Sequence, residues 1–251
     1  MRLGDGLRAS SERHRSRVVL ALDVTGPVAT RIDRAEGLLS ELGERLAGVK
    51  LNFQLLLPRG LEGVAGVARA CSEMGLPLIA DIKLNDIGPT NLDAVEQLFG
   101  AGFDAVIANP FAGRADGIGP VIARARELGR GVVLLVYMSH AGAAEGYGLR
   151  VGGGPGGGGG EPVYAAFARR VVDWDADGAI VSARSLEIIR EVRRALGPQR
   201  VILSPGVGAQ GGDASGAVRA GTDYAIVGRT IIEARSPTGA LEEINRSLVG
   251  T

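Results

Sequence analysis

Eight times along the 251-residue chain, a short apolar run gives way to a longer stretch whose apolar residues recur at helical spacing. The runs fall at 17–23, 48–51, 76–81, 104–109, 131–138, 177–182, 200–204 and 223–227. Most are continuous rather than alternating, as strands buried on both faces of a parallel sheet are. The stretches at 31–46, 61–74, 92–99, 121–128, 163–174, 186–196, 214–220 and 241–248 carry the amphipathic spacing of helices. Eight strand-then-helix units in about 235 residues match a (β/α)8 barrel, where a doubly wound sheet usually has fewer strands. The expected fold is a single-domain α/β TIM barrel over 1–251, with an N-terminal extension at 1–16 and a glycine-rich loop insertion at 141–161.

Composition removes several alternatives. Hydrophobic residues at 45% and charged residues at 22% exclude a disordered chain. Lys+Arg 28 against Asp+Glu 28 leaves no basic field, so no nucleic-acid partner is expected. The longest apolar run, 132–138, is far short of the roughly 20 residues a membrane helix needs. Arg2, Arg8, Arg13, Arg15 and Arg17 have no apolar block behind them, which argues against a secretory signal. The single cysteine, Cys71, fits a reducing compartment. A soluble cytoplasmic protein is the expectation.

Only two of the 28 basic residues are lysines, Lys50 and Lys83. Arginine replaces lysine wherever charge alone is needed, but not where an amine must give up a proton. Barrel active sites lie at the C-terminal ends of the strands. The first run ends at Asp23, the second at Lys50, and the third runs Asp81-Ile82-Lys83 and on to Asp86. Both lysines therefore fall on the expected catalytic face. Asp81 and Lys83, two apart on a strand, share a face, and Asp86 follows in the loop within reach of the same ammonium. Asp-x-Lys-x-x-Asp is a cheap pattern whose bland alternative is a solvated charge cluster with Asp86 capping the next helix. Its weight comes from position: three carboxylates and two ammoniums at one mouth call for a hydrogen-bonded network.

Across the mouth, the loops after the seventh and eighth strands have the make-up of a phosphate site. Backbone amides at Gly206, Gly208 and Gly228 join Arg229, a cation able to bind an anion in two places. The segment 205–216 has the composition of a lid that closes over a phosphate. The run 152–160 holds eight glycines interrupted only by Pro155, and reads as a linker rather than a phosphate loop, which uses few glycines at fixed spacing.

These residues resemble the orotidine 5′-phosphate decarboxylase family, in particular its archaeal-type branch. The resemblance spans 18 to about 232. It rests on Leu-Ala-Leu-Asp at 20–23, Val-Lys at 49–50, Asp-Ile-Lys-Leu-Asn-Asp-Ile at 81–87 with Thr90, Met-Ser-His at 138–140, Ser-Pro-Gly-Val-Gly-Ala-Gln-Gly-Gly at 204–212 and Val-Gly-Arg at 227–229. It implies decarboxylation of orotidine 5′-phosphate to uridine 5′-phosphate with no metal or other cofactor. In that picture Lys83 protonates C6, Asp81 faces the departing carboxylate, and Asp86 with Thr90 enters the site of a partner in a homodimer. Asp23 and Lys50 bind ribose hydroxyls, Ser139 the pyrimidine edge, and Gln210, Gly228 and Arg229 the phosphate, with Pro205 a further substrate-binding residue. The chain departs from the family pattern at Gly88-Pro89, at Asn52-Phe53-Gln54 and in the glycine run.

Two other functions stay open at this point. A magnesium-dependent sugar-phosphate decarboxylase or aldolase shares the Asp-x-Lys-x-x-Asp core but uses a glutamate after the second strand, where this chain has Leu51 and Asn52. A non-catalytic phosphate-binding barrel would have no use for a proton donor at Lys83. A Ser139–His140 nucleophile is disfavoured because neighbours on an extended strand face opposite ways. Trp174, at a helix end, reads as core.

Overall fold

The structure is a computed structural model that describes residues 2–152, 159–208 and 210–249. Its strands are β1 (Val18–Ala21), β2 (Gly48–Asn52), β3 (Leu78–Leu84), β4 (Ala105–Ala108), β5 (Gly131–Tyr137), β6 (Arg150–Val151), β7 (Glu161–Pro162), β8 (Gly178–Val181), β9 (Val201–Pro205) and β10 (Tyr224–Val227). Eight of them close into a parallel barrel in the order β1-β10-β9-β8-β5-β4-β3-β2, while β6 and β7 form a separate antiparallel pair. The eight expected strands are thus the eight staves of a TIM barrel. Their continuous apolar runs follow from burial on both faces: every residue of β1, β4, β8 and β10 is buried.

One core lies between barrel and helices, and a second fills the barrel interior. The interior core stacks Val19, Ile79, Val133, Leu203 and Tyr224 from the strands. Leu3 and Leu7 of the helix Leu3–His14 join it from below. The segment expected as an N-terminal extension therefore closes the bottom of the barrel. Arg2 extends this closure with an ion pair of 2.9 Å to Asp175, which also meets Arg126 and Arg200. Two leucines in an arginine-rich stretch give too little periodicity to announce such a helix.

Two helices, Leu186–Leu196 and Ala214–Ala220, lie where the spacing puts them. The stretch expected as one helix at 61–74 is two, Phe53–Gly63 and Ala65–Met74. The two are separated at Val64, whose φ of −104° and ψ of 8° leave the helical region, and the first helix is itself kinked at Gly60, whose φ of +62° glycine adopts without steric cost, two residues after Pro58. In the 141–161 segment the described residues form a short helix, Ala143–Tyr147, and the β6–β7 pair. Residues 153–158 of the glycine run lie outside the described residues. Trp174 is buried, with Arg170 over its ring. Cys71 is buried as well, and burial pushes its thiol up to about 12. No helix among the described residues is long and apolar enough to cross a membrane.

Candidate active site

A cavity of about 500 Å³ opens at the C-terminal mouth of the barrel. Its floor is the top layer of the interior core, Ala21, Ile107, Leu135, Ile180 and Ile226. Asp23, Lys50, Asp81 and Lys83 line one wall, and Pro205, Gly206, Gln210, Gly228 and Arg229 line a second, with Ser139 also at the cavity.

The charged wall is a chain of ion pairs. Strand register sets Lys50 beside Ala21 and Asp81 beside Asn52, so the ends of β1, β2 and β3 meet at one level. Lys50 Nζ donates to Asp81 Oδ2 at 2.8 Å and to Asp23 Oδ1 at 3.3 Å. Lys83 Nζ donates to the other Asp81 oxygen at 2.8 Å. Lys50 and Asp81 are 4% and 8% exposed, so neither would tolerate losing its partner. Burial alone pushes the Asp81 carboxyl up, but Lys50 and Lys83 outweigh it and hold the group below its ordinary range. Lys83 ends this chain with its side chain 36% exposed, its ammonium presented to the cavity.

Lys83 reaches Asp81 for a different reason than a shared strand face. Pairing between β3 and β4 jumps from Ala80–Val106 to Leu84–Ala108, and inside this bulge Lys83 has φ +48°. Left-handed backbone costs a non-glycine residue roughly 1–2 kcal/mol and concentrates at functional sites. Here the bulge bends the strand so that Lys83 turns back over Asp81.

Asp86 is the main correction. It is exposed, lines no part of the cavity, and does not reach the ammonium of its own chain's Lys83. Nor does it cap the helix Gly88–Gly100, whose N-cap is Ile87; its Oδ1 accepts from Ile87 N at 2.7 Å. The mouth of one chain thus gathers two carboxylates and two ammoniums rather than three and two. Thr90 is exposed as well and lines no part of the cavity.

The second wall is mostly backbone. Gly206, Gly208 and Gly211 have φ of +97°, +75° and +82°, and Gly212 N donates to Gly206 O at 2.9 Å, so this segment turns back on itself. A Cβ on Gly208 would lie 2.5 Å from Thr230 Oγ1, a second reason for glycine there. Arg229 is exposed and, among the described residues, enters no ion pair. Ala209 lies outside the described residues. His140 is exposed and past the end of β5, with no hydrogen bond to Ser139 among the described residues, so the two form no nucleophile pair.

Thr25, Asn52, Gln54 and Thr230, which the strand-end pattern does not single out, also line the cavity. Asn52 was accessible: it lies two residues beyond Lys50 on β2 and so shares its face. Its side chain accepts from Gln54 N at 2.9 Å and starts the helix Phe53–Gly63. Arg184, beyond β8, donates to Ser139 O at 3.2 Å at the rim. No three His, Cys, Asp or Glu side chains among the described residues are grouped as a metal would require.

Residues 16–244 match the model of the "Orotidine 5'-phosphate decarboxylase / HUMPS family". An orotidine 5′-phosphate decarboxylase of Methanosarcina acetivorans is 37% identical over 229 residues, covering 90% of this chain and 92% of that protein. One from Pyrococcus abyssi is 35% identical, covering 93% and 99%. The crystal structure of orotidine 5′-phosphate decarboxylase from Pyrococcus horikoshii superposes with TM-score 0.75 at 35% identity, covering 93% of this chain and all of that one.

Proposed function

The chain belongs to the orotidine 5′-phosphate decarboxylase / HUMPS family, and from that premise we propose how its mouth carries out the conversion of orotidine 5′-phosphate to uridine 5′-phosphate. The observation that supports the reading is the buried Lys50–Asp81–Lys83 chain, whose last ammonium faces the cavity.

The substrate lies with its phosphate at Gly206, Gln210, Gly228 and Arg229 and its pyrimidine beside Ser139 and Lys83. Backbone N–H groups and a guanidinium are the donors that an anion of this kind selects. Asp23 and Lys50 bind the ribose hydroxyls. The C6–carboxylate bond breaks, carbon dioxide leaves, and the bonding electron pair stays on C6. Lys83 stabilises that charge as it develops and then transfers a proton from Nζ to C6. Asp81 faces the carboxylate before it leaves and, with Lys50, aims Lys83. Closure of 205–216 over the phosphate excludes water and orients the ring. No step needs a metal or an organic cofactor.

The active form is a homodimer in which Asp86 and Thr90 complete the partner's site. Asp86 is exposed and lines no part of its own chain's cavity, as a residue serving another copy would. Large apolar side chains are exposed along the connections after β2, β3 and β4: Phe53 (47%), Leu57 (75%), Ile87 (63%) and Phe111 (74%). Such clustering on neighbouring strands suits an interface. Location in the cytoplasm completes the reading.

The test is ultraviolet loss of orotidine 5′-phosphate by the purified protein with EDTA present. Undiminished turnover is expected. Activity that vanishes on chelation and returns with magnesium moves the assignment to the sugar-phosphate lyases.

A further inference from the structure

Asn91 is 1% exposed, in the first turn of the helix Gly88–Gly100, and its amide is used on three sides. Its Oδ1 accepts from Asp86 N at 3.3 Å, and its Nδ2 donates to Asp86 O at 2.6 Å. Nδ2 also donates to Gly117 O at 3.3 Å, in the segment after β4. One side chain thus holds both backbone polar groups of Asp86 and ties them to the neighbouring connection. Gly88 tightens the same contact: a Cβ there would lie 3.1 Å from Asp116 O. Asn91 itself lines no part of the cavity.

Burying a side-chain amide in a helix is costly unless its hydrogen bonds are made, and an apolar residue would fill that space more cheaply. The amide here serves the one acidic residue of the Asp81–Asp86 motif that its own site does not use. We propose that Asn91 is a positioning residue that fixes the pose of Asp86, and so acts on the site of the partner subunit rather than on its own. This rests on the shared-site reading above. Without the clamp the 85–88 turn loses its fixed backbone, and a misplacement of about 1 Å at a reacting centre costs on the order of 100-fold in rate.

The experiment is subunit exchange with the whole 251-residue chain. Asn91→Ala homodimers are expected to lose about 100-fold in kcat. Lys83→Ala homodimers are expected to be dead. In a mixed dimer of the two, the Lys83 of the Asn91→Ala subunit meets an Asp86 held by an intact Asn91, so one site of two is whole. Random exchange makes half the dimers mixed, and activity is expected to return to roughly a quarter of the unmutated value per site. The Asp86→Ala plus Lys83→Ala mixture is the control and is expected to recover equally. Recovery in the control without recovery for Asn91→Ala overturns the positioning role and puts Asn91 in the service of its own subunit. Failure of both mixtures, with exchange demonstrated, overturns the shared site and this inference with it. Asn91→Asp keeps the shape and loses the two amide donations; it serves in the same design if Asn91→Ala does not fold.

Discussion

The ends of β1, β2 and β3 and the ends of β9 and β10 line two sides of one cavity and adjoin where β1 pairs with β10, yet they are built from opposite materials. The first holds buried side-chain charges in fixed pairs, with Asp81 shared between Lys50 and Lys83. The second holds left-handed glycines, backbone amides and an exposed arginine. A network of buried charges is expensive to perturb, so its geometry is set before anything binds. A wall of amides and one exposed cation is cheap to rearrange and gains its order from an anion. Under the proposed mechanism the first wall carries the chemistry and holds the ribose through Asp23 and Lys50, the second captures the phosphate, and each substitution below strikes one wall alone.

The largest effect is expected for Lys83→Arg. Arginine keeps the positive charge beside Asp81 but releases no proton, so turnover falls by about 1000-fold or more. Binding of uridine 5′-phosphate, which draws on the phosphate wall and on Asp23 and Lys50, changes little; calorimetric titration beside the turnover assay measures both. Comparable losses of binding and turnover would mean that the two walls are not separable.

Lys50→Met tests the cost of breaking the charged wall. It leaves Asp81 buried with one partner, and a loss of about 3 kcal/mol is expected in urea unfolding at pH 7. The pH dependence follows from the direction of the Asp81 shift. Its folded value lies below the ordinary 3.8, so its ionisation stabilises the fold above that pH. The contribution is lost as pH falls through the depressed folded value. With Lys50 gone, burial is less well opposed, and the acid loss of stability should begin at higher pH than in the unmutated protein. An unchanged acid midpoint would show that Lys83 alone holds Asp81 ionised.

Arg229→Ala strikes the capture wall. Loss of a charged hydrogen bond to phosphate is expected to cost roughly 2 kcal/mol, about 30-fold in kcat/KM, with no comparable change in unfolding. With a substrate that lacks the phosphate, the variant and the unmutated enzyme should turn over at the same low rate. A persisting difference would place the phosphate elsewhere.

Gly208→Ala should have the smallest effect. It forces a side chain into φ +75° and against Thr230, a strain of roughly 1 kcal/mol, about fivefold in KM. A fall in kcat with KM unchanged would instead tie this loop to the chemical wall.

The alternation of continuous apolar runs with amphipathic stretches determined the barrel, because both signals come from local periodicity and burial, which a single sequence displays. It also brought Asp23, Lys50, Asp81, Lys83, Pro205, Gly228 and Arg229 to one end, since a parallel barrel carries every strand's C-terminus to the same face. Tertiary structure alone decided which of those groups touch. The β1–β2–β3 register puts Lys50 between Asp23 and Asp81, and a bulge with Lys83 in the left-handed region turns its ammonium back on Asp81. The same structure turns Asp86 outward, held by Asn91, and seats Leu3 and Leu7 in the barrel's base. Register, bulges and the direction of a loop depend on contacts between residues far apart in the chain, and no local pattern of residue types encodes them.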